Sequence, residues 1–220
     1  MSTQSDILKN LKILSDIKYL EFSKKLIPNA GVPILGVRIP HIRKLAKDTV
    51  KSIDIASFLS SYKPKFHEEY LLKSMIINFA KDINLELIYA NKFVKSIPNW
   101  GVCDTFCIKK SKNLEIYRDF LNGFKDSRKE FEGRFYYIFF MKNFLNLENL
   151  EEIFTQIKQE KSELYYVKMA IAWLLCESYI IDKEKTTSFI LETLQDDFIK
   201  TKAISKIKDS FRIKTSNYPF

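Results

Sequence analysis

Trp100 and Asp104 stand four residues apart in "NWGVCDTFC" (99–107), in a chain with only two tryptophans among its 220 residues. On a helix that spacing places both side chains on one face, a turn apart. Asp is a poor helix-interior residue and Trp is large and costly to expose, so the pairing asks for a reason. The same spacing is also met by packing, with Trp100 in the core at a helix start and Asp104 on the surface. Two further residues stand out. Arg134 lies in "EGRFYYIFFM" (132–141), a stretch apolar around most of a helix. A guanidinium there must find a carboxylate, a carbonyl or an external phosphate, because an unpaired buried charge is costly. Trp173 lies in "KMAIAWLL" (168–175), where core packing is the default.

Other chemistries find no support. His41 and His67 have no carboxylate and nucleophile in a recognisable pattern, so neither is assigned a catalytic role. The chain has no phosphate-cradling glycine loop, no dinucleotide fingerprint, no zinc-protease helix and no nucleophile elbow. Cys103 and Cys107 form a C-x3-C pair without a matching Cys or His pair elsewhere, which argues for buried thiols rather than zinc. Neither a metal nor a small-molecule cofactor is expected.

The elements that must position these residues are helices. Only 5 glycines and 6 prolines punctuate the chain, and the aromatic runs recur at helical rather than alternating spacing. The pattern predicts helices over 5–15, 17–27, 40–50, 54–61, 67–81, 84–96, 100–111, 113–123, 128–145, 147–160, 163–180, 183–194 and 197–211. Arg134, Lys168 and Lys202 fall 34 residues apart, with Phe135, Met169 and Ala203, then Phe139, Trp173 and Ile207, in the same register. A cation followed by apolar residues at a fixed period predicts stacked helix pairs, an α-solenoid of HEAT or armadillo type. The expectation is one all-α domain over residues 1–220. If the three cations begin the helices of a concave face, they make a positive stripe, with helix N-termini adding to the attraction for phosphate.

Charge agrees with that picture. Lys and Arg number 36 against 27 Asp and Glu, a net charge of +9 and an isoelectric point near 9.2, which favours a polyanionic partner. The N-terminal "MSTQSDILKNLKIL" has no uninterrupted apolar stretch. The longest apolar runs, "FYYIFFM" (135–141) and "MAIAWLLC" (169–176), are too short to cross a bilayer. An intracellular, reducing, cytoplasmic setting is expected, without membrane association.

Six segments in order carry a resemblance: "LGVRIPHIRKLAK" (35–47), "HEEYLLKSMIINFAK" (67–81), "NWGVCDTFC" (99–107), "EGRFYYIFF" (132–140), "YYVKMAIAWLLCESY" (165–179) and "TKAISKIKDSFRI" (201–213). Together they resemble the AlkD-like DNA alkylation repair proteins, the HEAT-like-repeat DNA glycosylases, over about residues 5 to 213. The resemblance implies a right-handed all-helical solenoid, acting as a monomer on duplex DNA along its concave face. It implies hydrolysis of the N-glycosidic bond of cationic alkylated purines while the lesion remains stacked. It assigns Trp100 and Asp104 to the tryptophan and aspartate of the lesion site, Trp173 to its second tryptophan, and Arg134 to an arginine holding the neighbouring backbone. Among the cations of the matching segments, Arg43, Lys44, Lys73, Lys168, Lys202 and Arg212 are the expected DNA contacts.

One segment departs from the family. Its active members place a DNA-contacting helix directly before the stretch matching "LGVRIP", whereas here Pro28, Gly31 and Pro33 interrupt the pattern. A helix over 17–27 followed by a loop over 28–35 is expected, and the family's lesion-touching aromatic has no clear match, with Tyr19 and Phe22 as the candidates to replace it. A DNA-binding protein without catalysis, or a protein-interaction scaffold, would share the remaining features.

Overall fold

The computed structural model describes residues 4–80, 82–106 and 114–213. Among them are thirteen α-helices and one π-helical turn, with no strand. The fold is all-α, as the helical spacing of the aromatic residues predicts. No helix among the described residues is long and apolar enough to cross a membrane. The chain divides into two compact units, residues 1–114 and 115–220.

Unit 1 contains α1 (Gln4–Ile13), α2 (Ile17–Leu26), α3 (Ile39–Thr49), α4 (Ile55–Ser61), α5 (His67–Ile77), α6 (Ile83–Val94) and α7 (Trp100–Thr105). Short acceptor side chains start several of them. Asp16, Asp54, Asp82 and Asn99 each cap a helix by accepting backbone N–H groups that lack an intrahelical partner. α3 starts instead with Pro40 in its first turn, where a missing N–H costs nothing. α5 is the hub, packed against α3, α4, α6 and α7. It is buried nearly all round, including three polar residues at its start, His67, Glu68 and Glu69. Glu69 accepts from Lys65 N (2.8 Å), Phe66 N (3.1 Å) and the Tyr62 hydroxyl (3.0 Å). Burial and that neighbouring carboxylate push the Tyr62 hydroxyl well above its ordinary pKa.

Unit 2 contains α8 (Leu114–Asn122), α9 (Glu130–Asn143), α10 (Leu150–Gln159), α11 (Tyr165–Ile181), α12 (Lys183–Ser188), the π turn (Phe189–Thr193) and α13 (Asp197–Asp209). α11 packs against both α9 and α13. These are the three helices that carry the 34-residue register. The unbroken run Glu132–Met141 of α9 is buried, and its Phe135 and Phe139 meet Phe120 and Phe124 mostly edge to tilted face, with centroids 5.4–6.1 Å apart.

Three helices differ most from the expected spans, and the first, α5, predicted over 67–81, ends at Ile77. The helix predicted over 100–111 ends at Thr105, because Phe106 turns to extended backbone and buries its ring edge-on against Phe93 at 4.9 Å. Residues 107–111 of that expectation, Cys107 included, lie outside the described residues; Cys103 is buried and outside any disulfide. The helix predicted over 183–194 changes at Phe189 to a π turn, where the Phe189 ring stacks face to face on Phe154 at 4.4 Å.

Candidate functional site

The Trp100–Asp104 turn is α7, and its start is tied to two other segments of unit 1, around Ala30 and at His67. Asn99, fully buried, accepts from Val102 N through Oδ1 (3.0 Å) and donates through Nδ2 to the Ala30 carbonyl (2.8 Å). Those two bonds fix which way the amide points. Its Nδ2 therefore also faces His67 Nδ1, at 3.2 Å, as a donor. His67 must accept there, which places its own hydrogen on Nε2. Burial holds the His67 pKa below its ordinary value, with the Glu68 charge opposing, so the neutral ring that this bond needs is the favoured form. Gly101 lets the turn approach, since a Cβ there would lie 2.7 Å from Ile27 Cδ1 and 3.4 Å from His67 Cε1. Val102 and Cys103 are buried, while Trp100 and Asp104 are half-buried. Both keep a solvent-facing side, as a site requires and a sealed core does not.

Removing the cap tests this construction. Asn99→Ala is expected to lower stability by about 2 kcal/mol, for the lost cap and the half-buried Ala30 carbonyl left without its donor. Urea denaturation measures it, and a loss under about 0.5 kcal/mol would contradict the assigned role.

The loop over 27–38 lies beside this turn. Glu68, 1% exposed, accepts from Leu35 N (2.8 Å), Gly36 N (2.7 Å) and Val37 N (3.1 Å). Gly36 has φ +85°, and a Cβ there would come within 2.6 Å of Leu20 Cβ, so the bend requires glycine. His67 N donates to the Pro33 carbonyl at 2.9 Å. The expected interruption after α2 is thus an ordered loop, seated on the start of α5. On α2 itself, Tyr19 and Phe22 stack at 5.9 Å, with the Arg38 guanidinium 4.7 Å from the Tyr19 centroid and paired to Asp16 at 3.1 Å.

In unit 2, Arg134 is buried and donates to the Tyr166 carbonyl at 2.9 Å. Its guanidinium lies 5.9 Å from the Tyr166 ring centroid. Tyr166 N in turn donates to Glu130 at 2.9 Å. Of the three outcomes open to a guanidinium on an apolar helix, one is filled by this carbonyl at the start of the neighbouring helix. Lys168 occupies the equivalent place one register on. Its side chain is 11% exposed and pairs with Glu163 and with Asp196, the cap of α13. These hydrogen bonds hold its pKa above the ordinary value. Lys202 lies 5.6 Å from the Phe198 ring centroid. Trp173 is half-buried, and its Nε1 donates to Glu177 Oε1 at 3.0 Å; Arg212 donates to the same oxygen.

The remaining expected cations belong to unit 1. Arg43 and Lys44 are exposed on α3. Lys73 is half-buried and donates to the Tyr62 carbonyl at 2.7 Å, and burial, followed by the Lys92 charge, lowers its pKa. Sequence reasoning missed His67, Glu68, Glu69, Asn99 and Glu177 as positioning residues. The adjacent polar trio opening an apolar helix at 67–69 was the visible signal, whereas Glu177 offered only its i,i+4 spacing from Trp173.

Comparison with known proteins follows from these segments. No curated protein matches the chain. The family model described as DNA alkylation repair enzyme matches residues 7–207, which takes in both tryptophans, Asp104, Arg134 and the loop seated on Glu68. With nearly its whole length accounted for by that one family, the chain belongs to the DNA alkylation repair enzymes.

Proposed function

We propose that the protein is a monofunctional DNA glycosylase that hydrolyses the N-glycosidic bond of cationic alkylated purines in duplex DNA. The observation that carries this reading is the tied turn of α7, which offers a half-buried carboxylate one turn from a half-buried indole in a member of a DNA alkylation repair family. A purine made cationic by alkylation leaves as a neutral base, taking the electron pair of the bond to its C1′. Departure builds oxocarbenium charge on the deoxyribose, which the Asp104 carboxylate stabilises. Water adds to C1′ and gives up a proton, with Asp104 as its orienting acceptor. The resemblance assigns the indole faces of Trp100 and of Trp173 to favouring positive charge.

Arg134, held in place by Tyr166, is assigned to the DNA backbone, together with the exposed Arg43 and Lys44 and with Lys202 and Arg212. The 34-residue register supports the HEAT-like-repeat reading, and the proposed setting is cytoplasmic, at the nucleoid, with the protein acting as a monomer. The test is incubation with methylated duplex DNA and chromatographic measurement of free base. Release in proportion to protein and time is expected; no release above an Asp104→Asn control defeats the reading.

A second reading is favoured by a separate observation: α2 stops at Leu26 and the chain runs as a loop to Arg38. It makes the protein a DNA binder without base excision. Salt-sensitive binding, with log affinity falling by roughly 0.9 per phosphate contact for each unit of log salt, but without released base, would select it.

A further inference from the structure

We infer that Glu177 is a positioning residue for Trp173, holding the indole ring in one orientation while Arg212 balances its charge. This rests on the glycosylase reading for the purpose of the ring, though the clamp is argued from geometry alone. α11 is a seventeen-residue helix whose only carboxylate is Glu177, and most residues around it, Ala170, Ile171, Leu174, Leu175, Cys176 and Tyr179 among them, are buried. A carboxylate on such a helix loses hydration and must be matched by hydrogen bonds and opposite charge. Glu177 has both through a single oxygen. Oε1 accepts from Trp173 Nε1 at 3.0 Å and from the Arg212 guanidinium. The side chain of Glu177 is 18% exposed and that of Arg212 48% exposed, so the guanidinium covers the carboxylate from the solvent side.

Three consequences follow. An indole has two side-chain torsions, and an anchored N–H at i+4 removes the freedom of the second, which sets the plane of the ring. An acceptor that carries charge polarises the N–H and leaves the ring more electron-rich, strengthening its attraction for a cation. The paired guanidinium cancels the negative charge that would otherwise repel phosphates from this face. Cys176, the neighbour of Glu177, takes no part. Burial first, and then the Glu177 charge, push its thiol up to about 11, so it stays neutral.

The chain's two tryptophans make the clamp measurable. In a Trp100→Phe background, fluorescence anisotropy reports on Trp173 alone; base release is measured separately with Trp100 retained. Glu177→Gln keeps an acceptor oxygen and the side-chain size, while Glu177→Leu removes every acceptor. The clamp predicts near-native anisotropy for Gln and a clear fall for Leu. It also predicts that base release falls about tenfold for Leu, less for Gln, with duplex affinity within about twofold of native.

A Leu variant that keeps native anisotropy, or one that loses anisotropy but releases base at the native rate, overturns the proposal. If the native protein releases no base at all, the glycosylase reading falls, and the anisotropy pair alone decides for or against the clamp. The melting temperature of Glu177→Gln guards against misfolding as the cause, because that variant must be native-like in stability and still show the intermediate rate.

Discussion

Asp104→Asn is expected to lower base release from methylated duplex DNA by roughly a hundred- to a thousandfold, the range found when one preorganised electrostatic group is removed from a developing charge. That corresponds to about 3–4 kcal/mol of transition-state stabilisation. The substitution keeps the shape of the side chain, and the start of α7 is held by its Asn99 cap and by the buried Val102 and Cys103. The fold should therefore survive. Affinity for duplex DNA should stay native or tighten slightly, since one negative charge is removed from a surface that binds a polyanion. Release by single-turnover assay and affinity by titration of labelled duplex separate the two effects. Release within twofold of native would remove Asp104 from the chemistry, and a parallel collapse of affinity would give it a binding role instead.

The second large effect belongs to stability. Glu68→Ala is expected to cost roughly 3–5 kcal/mol, because it strands buried donors that now share one carboxylate. The three N–H groups of Leu35, Gly36 and Val37 would lose their common acceptor, while the Gly36 carbonyl, at the φ +85° bend, would keep its bond from Asp16 N. Glu68→Gln should cost about half as much: one amide oxygen can still serve two of the donors, while the amide nitrogen would face the third as donor against donor. Urea denaturation monitored by circular dichroism gives both values. A cost below about 1 kcal/mol for the alanine variant would mean that the loop holds itself, and that Glu68 is incidental to it.

What was legible in the residue order is local. The helix starts read from apolar spacing fall within two residues of Asp16, Asp54, Asp82, Asn99, Asp182 and Asp196, and each of these six caps a helix. Capping is a bond between neighbours two or three residues apart, so it can be read without a fold. The interruption after α2 was visible for the same reason, in its prolines and glycines. The end of α7 was not, because what stops that helix at Thr105 is the burial of Phe106 against Phe93, a partner on a different helix.

The candidate residues divide along the same line. The i,i+4 spacing of Trp100 and Asp104 fitted packing as well as chemistry, and it was the resemblance of six ordered segments that singled out the side chains proposed for the site. Their supports are long-range. Asn99 reaches Ala30, 69 residues away, and His67, 32 away; Arg134 reaches Tyr166 across 32 residues, and Arg212 reaches Glu177 across 35. Arg134 had three acceptable kinds of partner on physical grounds, and the packing of α11 against α9 is what brings the Tyr166 carbonyl to it. Residue order determined that the chain is helical and roughly where its helices begin, since both depend on side-chain type and near neighbours. Tertiary structure decided what holds those groups still, because a hydrogen bond between distant segments exists only once packing has brought its donor and acceptor within 3 Å or so.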